Sequence, residues 1–369
     1  MSALTLAPLS HLDASMFFNE AHDLLGARLD AFVSDWSARE AYRDDWLATR
    51  EAARALGGAG LLSLCAPARD GGLLVLDPSS VDARALMLAR ERLASVSGLL
   101  DAAFAHQVLG AAPIAAWGTA DQRARYLPEL MSGERVGAIA LVGADGAGAA
   151  RARVLEEGDY LLTGDLPLVG NAGVASQYVV FAALDPKRRA ETLTAFIVEP
   201  SDAGLRVEPT EMVAAQPVGG LALRRCRVPA ARRLGAEGEG ARVASEVLEL
   251  ARLMMAGAGV GVGRRALAEA GEVSGAHAVA CGRVGASLEA AALLAYKVAY
   301  QRDALTLSSL EAAGRAKALA AEVACEAVDV ALQARGPAAL RRGEPLEQLY
   351  RDARALRLAC GVSEALFLD

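Results

Sequence analysis

Residues 117–134 read Trp-Gly-Thr-Ala-Asp-Gln-Arg-Ala-Arg-Tyr-Leu-Pro-Glu-Leu-Met-Ser-Gly-Glu, and the texture of the chain changes at their end. Thr119 followed by Asp121 and Gln122 predicts a helix start, and Tyr126, Leu127 and Leu130 continue one apolar face. Upstream, Phe17, Leu24, Leu25, Leu29, Phe32, Val33 and Trp36 recur at helical spacing. Gly57, Gly58 and Gly60 interrupt this pattern, and Pro67, Gly71 and Gly72 mark a loop. A second helical stretch runs from Val81 to Leu109. Everything up to Gly133 therefore reads as helical.

Past Gly133, short apolar runs alternate with Gly, Asp and Pro: 136–142, 160–163, 178–183, 192–198, 205–207 and 221–228. Their β-branched and aromatic content favours strands, and their close spacing favours an antiparallel sandwich or barrel. From Gly240 the texture changes again, to alanine- and leucine-rich segments of high helix propensity. The expectation is an α+β fold with a helical lobe over 1–133, an antiparallel β-lobe over 134–239 and a helical bundle over 240–369.

With 369 residues, 53% of them hydrophobic, the chain is long enough for more than one lobe. Its 38 basic and 45 acidic residues are scattered, which argues against nucleic acid as the main partner. Cys65, Cys226, Cys281, Cys325 and Cys360 are far apart and lack metal-ligand spacing, so a reduced, cytoplasmic protein without a metal is expected. The first residues lack a basic segment followed by an apolar run, so no secretory signal is visible. The apolar window 243–263 carries Glu246, Glu249 and Arg252, which favours a buried core helix over a membrane span.

The order of blocks, together with local strings, resembles the acyl-CoA dehydrogenase family from about residue 17 to 366. Leu56-Gly57 to Leu62, Pro67 and Gly71-Gly72 look like the family's exit from its early helices. Trp117-Gly118-Thr119, Gln122, Tyr126-Leu127-Pro128 and Ser132-Gly133-Glu134 match the approach to its β-domain. Val228-Pro229, Leu234-Gly235 and 238–240 resemble the return to the bundle, while Gln333, Gly336 and Leu349-Tyr350-Arg351-Asp352-Ala353 are similar to the C-terminal signature. The resemblance implies FAD held between β-domain and bundle, assembly commonly as homotetramers, and removal of an α-proton and a β-hydride from an acyl-CoA thioester.

The chain departs from that family at the positions that carry the chemistry. The family's Thr-Glu-Pro and Gly-Ser-Asp are here Val142-Gly143-Ala144 and Gly148-Ala149-Ala150. Its Lys-x-Trp-Ile-Thr-Asn run is Leu166-Pro167-Leu168-Val169-Gly170-Asn171. The Arg-x-Gln-Phe-Gly turn is replaced by the short 271–277, with Arg264, Arg265 and Arg283 as possible substitutes. Gln333 and Gly336 are what remains to hold FAD, if the cofactor is kept. The family's catalytic glutamate has two locations, which here read Cys360-Gly361-Val362 and Ala251-Arg252. Glu364 and Glu249 lie near them in sequence but at offsets that point a side chain elsewhere.

Cys360 is the candidate catalytic residue by its reactivity, with a small apolar replacement as the plainer reading, and Arg252 is the candidate substrate contact. The glycines between 257 and 263 read as close helix packing, and 143–148 offers a possible phosphate cradle. His106 and His277 read as core or interface histidines. The expected function is acyl-thioester metabolism, on acyl-CoA or an acyl-carrier protein. The chain would act as a helper subunit of an active paralogue or as a flavin-independent enzyme, in a homo- or hetero-oligomer; the alternative is an FAD-dependent dehydrogenase with a rebuilt site.

Overall fold

The computed structural model describes residues 11–37, 46–73, 79–143, 145–214, 216–307 and 309–368. Five helices open the chain: α1 (Glu20–Ser37), α2 (Trp46–Gly58), α3 (Ala83–Ala94), α4 (Gly98–Trp117) and α5 (Ala120–Ser132). Their starts are chemically marked. Asp82 caps α3 by accepting from the Ala85 N–H, and Ser97 caps α4 by accepting from that of Leu100. At α5, Thr119 and Gln122 form a reciprocal capping box, and Gly133 ends the helix in the left-handed region. The Gln122 amide also donates to the Ala231 and Arg233 carbonyls at 2.8 and 2.9 Å, which docks this helix start on the end of the β-lobe.

The β-lobe comprises β1 (Gly137–Ile139), β2 (Ala150–Val154), β3 (Tyr160–Gly170), β4 (Gln177–Ala183), a short α6 (Arg189–Thr192), β5 (Leu193–Val198), β6 (Leu205–Thr210), β7 (Val218–Val228) and β8 (Arg233–Leu234). The sheet order is β6-β7-β3-β2-β4-β5-β8. Pairing is antiparallel except where β1 and β2 run parallel to β4. Strand β2 carries no β-branched residue before Val154; alanines face inward and arginines outward, a pattern too faint to read as a strand from sequence. Strands β4 and β5 are buried along their whole length because the sheet has two cores. Tyr178, Val180, Phe196 and Val198 join Tyr160, Leu162, Leu223 and Val228 in the β-lobe core. Val179, Phe181, Leu193, Ala195 and Ile197 pack into the helical core instead.

The bundle consists of α7 (Gly240–Glu269), α8 (Gly275–Leu305), α9 (Leu310–Arg335), α10 (Pro345–Leu358) and a final turn, α11 (Ser363–Leu366). The glycines of α7 lie within one unbroken helix and serve close packing. A Cβ on Gly257 would lie 2.5 Å from the Met87 carbonyl oxygen of α3, and one on Gly261 would lie 2.1 Å from that of Glu91. Gly259 meets α9 at Ala320 in the same way. The crossing is reinforced by Glu91, which is buried and accepts hydrogen bonds from Arg92, from Arg264 and, at 2.6 Å, from the Tyr296 hydroxyl. The first lobe and the bundle share a single hydrophobic core, running from Leu25 and Leu29 through Leu86 and Phe104 to Leu250, Tyr296 and Ala320.

Candidate functional site

A cavity of about 730 Å³ opens where the three blocks meet. One wall is helical and carries Arg90 and Ala94 of α3, Asp101, Ala102, Ala105, His106 and Leu109 of α4, and Arg252 and Met255 of α7. The opposite wall belongs to the β-lobe: residues 139–143, 147–148, 166–170, and Met212, Ala214, Gln216 and Val218. Among the described residues of that wall, Gln216 is the only one with a polar side chain. The floor is the end of α10 with Asp352, Ala355, Leu356, Leu358, Ala359, Cys360 and Gly361.

The β-wall is shaped by two local conformations. Leu168 sits in the left-handed region (φ 55°) at an irregularity in the β3–β7 pairing between Leu166 and Val169, which leaves its side chain 61% exposed. Asn171 is also left-handed, and its buried side chain donates to the Gly137 carbonyl at 2.9 Å while its N–H donates to that of Pro217. Its retention is thus accounted for by joining β3 to β1. At Gly170 the space of a side chain is already filled, since a Cβ there would lie 2.2–2.4 Å from the imidazole of His106.

His106 is therefore a cavity residue and not a core histidine. Burial, the nearby Arg90 charge and a hydrogen bond with the Gln216 side chain act on the ring, and the balance lowers its pKa to about 4, so it is neutral at physiological pH. Its Nε2 has no hydrogen-bond partner among the described residues. In loop 143–149 the N–H groups of Gly143, Gly146, Ala147 and Ala149 donate to Ala147 O, Gly143 O, the Asp145 carboxylate and Gly146 O, all within the loop, so these four are not open to a phosphate. Ala144 lies outside the described residues.

Cys360 and Arg252 come together. Cys360 occupies a left-handed turn (φ 56°) between α10 and α11, and its carbonyl accepts from Arg252 Nε at 3.3 Å. Arg252 Nη1 donates to the Leu310 carbonyl at 2.9 Å, so this arginine ties the turn to the start of α9 as well as lining the cavity. Beneath the turn, the buried Lys317 donates to the carbonyls of Arg357 (3.0 Å) and Gly361 (2.6 Å). Burial lowers the Lys317 pKa to about 8. Burial also pushes the Cys360 thiol up, against the opposing pull of Arg90, Lys317 and Arg252, so the thiol is protonated at neutral pH.

Other expected residues lie elsewhere. Ala251 is sealed in the core, and Glu249 accepts from the Ser309 N–H at the start of α9. Glu364 pairs with Arg357 at 2.9 Å on the surface. Gln333 and Gly336 stand at the far end of α9, outside the cavity lining, and His277 is exposed on α8. Arg264 and Arg265 are engaged by Glu91 and Glu269. Two carboxylates line the cavity, Asp101, which sequence reasoning missed, and Asp352, which the sequence suggests as an ion-pair partner of Arg351, whereas Arg351 pairs with Glu347 at 2.9 Å. Asp101 pairs with Arg90, and Asp352 lies over Gly98 at the start of α4, where a Cβ would come within 2.3 Å of its carboxylate. The helical spacing of Arg90, Asp101 and His106 carried no cue, because their convergence depends on how α3 crosses α4.

Comparison with known proteins places this geometry. Residues 13–134 match the family described as acyl-CoA dehydrogenase, N-terminal domain, and residues 238–368 match acyl-CoA dehydrogenase, C-terminal domain. An acryloyl-CoA reductase (NADH) of Anaerotignum propionicum is 31% identical over 271 residues, covering 67% of this chain and 68% of the relative. An L-prolyl-[peptidyl-carrier protein] dehydrogenase of Pseudomonas fluorescens is 35% identical over 219 residues, 57% of either chain. Among solved structures, butyryl-CoA dehydrogenase from Megasphaera elsdenii superposes with a TM-score of 0.82 at 24% identity, over 95% of this chain and 97% of that one.

Proposed function

Because this chain belongs to the acyl-CoA dehydrogenase family, we propose that it keeps the family's acyl-thioester cavity but not its flavin chemistry, and that it serves as a cytoplasmic partner subunit for an active relative. The observation that carries the reading is the β-wall. The residues present do not fit a flavin ring: Val142, Leu168, Val169 and Gly170 offer it no hydroxyl or indole, and His106 fills the room beside Gly170. Four N–H groups of loop 143–149, those of Gly143, Gly146, Ala147 and Ala149, are spent within the loop. Each polar edge left without a partner costs about 1–3 kcal/mol, and every 1.4 kcal/mol is about tenfold in affinity.

Among the described residues lining the chamber, Asp101 is locked by Arg90, the Cys360 thiol is protonated, and a neutral imidazole with a pKa of about 4 is a weak base. That leaves Asp352, set against Gly98 at the start of α4, as the one carboxylate there not locked by Arg90, and the turnover assay below tests it. What remains is a largely apolar chamber into which an acyl chain fits between α3, α4 and α7, whether its thioester is carried by coenzyme A or by a carrier protein. The carrier-protein relative supports the second source.

The test is a visible absorbance spectrum of protein made with excess riboflavin, then FAD titration and dye-coupled turnover of butyryl- and octanoyl-CoA. A colourless protein without turnover is expected. Stoichiometric yellow cofactor surviving gel filtration, with turnover comparable to that of an ordinary dehydrogenase, would overturn the reading in favour of a flavin enzyme with a rebuilt site.

A further inference from the structure

Arg90 is nearly fully buried, yet it lines the cavity. It donates from Nε to Asp101 Oδ1 at 2.7 Å and from Nη2 to Oδ2 at 2.5 Å. That side-on pair uses two of the five N–H donors of a guanidinium. The described residues supply no acceptor for the rest, and Nη1 makes no hydrogen bond to protein. The Nη1–Nη2 edge is thus a second, free fork. Its fixed planar spacing matches the two oxygens of a carboxylate, and a fork left bare against an apolar ligand would bury donors at a cost.

Arg252 lines the chamber together with Arg90, while of the two lining carboxylates Asp101 is taken up by Arg90 and Asp352 lies over Gly98 at the start of α4. At Cys360, where the family resemblance puts a proton-abstracting carboxylate, the charges acting on the thiol come from Arg90, Lys317 and Arg252, all cations. Arg90, His106 and Cys360 line the same chamber. The neighbouring apolar walls, Ala94, Ala102, Ala105 and Met255, leave room for a short methylene chain leading to that edge.

We propose that the cavity selects an acyl thioester whose acyl group ends in its own carboxylate, held by the free edge of Arg90 while Asp101 fixes the guanidinium from the other side. This rests on the acyl-thioester reading above. Arg90 lies between the two carboxylates and separates their charges.

The test is calorimetric titration of the purified full chain with succinyl- and glutaryl-CoA, with butyryl- and pentanoyl-CoA, and with glutaramoyl-CoA, in which a neutral amide replaces the terminal carboxylate. One or both carboxyacyl ligands should bind roughly 10- to 100-fold more tightly than the plain chains and the amide. The paired substitution Arg90→Met with Asp101→Leu removes both charges and leaves neither unpaired; it should erase that preference while plain-chain binding persists. The wild-type ranking needs no variant to fold. Equal binding of all five ligands, or preference for the plain chains, would overturn the carboxylate inference and leave the acyl-thioester reading standing. Binding of none would overturn the acyl-thioester reading itself and this inference with it.

Discussion

At the scale of single residues, the site is governed by groups whose burial sets their charge state. Lys317 is the clearest case. Its pKa in the folded chain, about 8, lies below its ordinary value of 10.5, so between those values the unfolded chain binds more protons. Stability from this residue therefore rises as pH goes from about 8 toward 10.5. Urea unfolding of wild type and Lys317→Met at pH 7.5, 9 and 10 should show a rise that is smaller in the variant; identical pH slopes would refute the assignment. Cys360 gives a second expectation. With its thiol pushed up by burial, alkylation by iodoacetamide below pH 9 should be slower than that of a free cysteine, as read by mass spectrometry. Faster labelling would restore it as a nucleophile. That the string Cys360-Gly361-Val362 holds no carboxylate was legible at once, because it depends on residue identity alone. Arg90, Asp101 and His106 were not legible, because what makes them a site is a crossing of helices rather than a spacing along one.

At the scale of elements, α7 is held to α3 by glycines that leave no room for a side chain. Gly261→Ala would drive a Cβ into the Glu91 backbone, and overpacking of this kind costs about 1–3 kcal/mol or more. Gly58→Ala, at the end of α2 with nothing within 4 Å, should be neutral or stabilising by about 0.5–1 kcal/mol. Chemical denaturation distinguishes the two, and equal effects would refute the crossing argument. Helices were readable from periodicity and caps, Thr119 and Gln122 above all, since those signals are local. Strand β2 was not, since its alanines owe their burial to neighbours far along the chain.

At the scale of the whole molecule, α8 stands apart. It is long and apolar, yet only about a third of its most apolar window is buried within the chain, and Val279 is 74% exposed. A second copy, or an active relative, is the expected cover for that face. Light scattering should give a dimer or larger at micromolar concentration, alone or with that relative, and Val279→Glu should weaken it. A monomer under both conditions would count against assembly through this helix. Three textures along the sequence suggest three units, but the packing joins the first and last into one core, a fact that no local pattern encodes.

That shared core sets a timetable for synthesis. Leu25, Leu86 and Phe104 leave the ribosome long before Leu250, Tyr296 and Ala320, against which they bury. For the time it takes to translate more than a hundred residues, the opening helices can pack only on one another, and the part of their apolar surface that meets α7 and α8 stays uncovered, while the β-lobe core closes from strands nearer in sequence. The nascent N-terminal third is therefore where apolar surface waits longest for its partners.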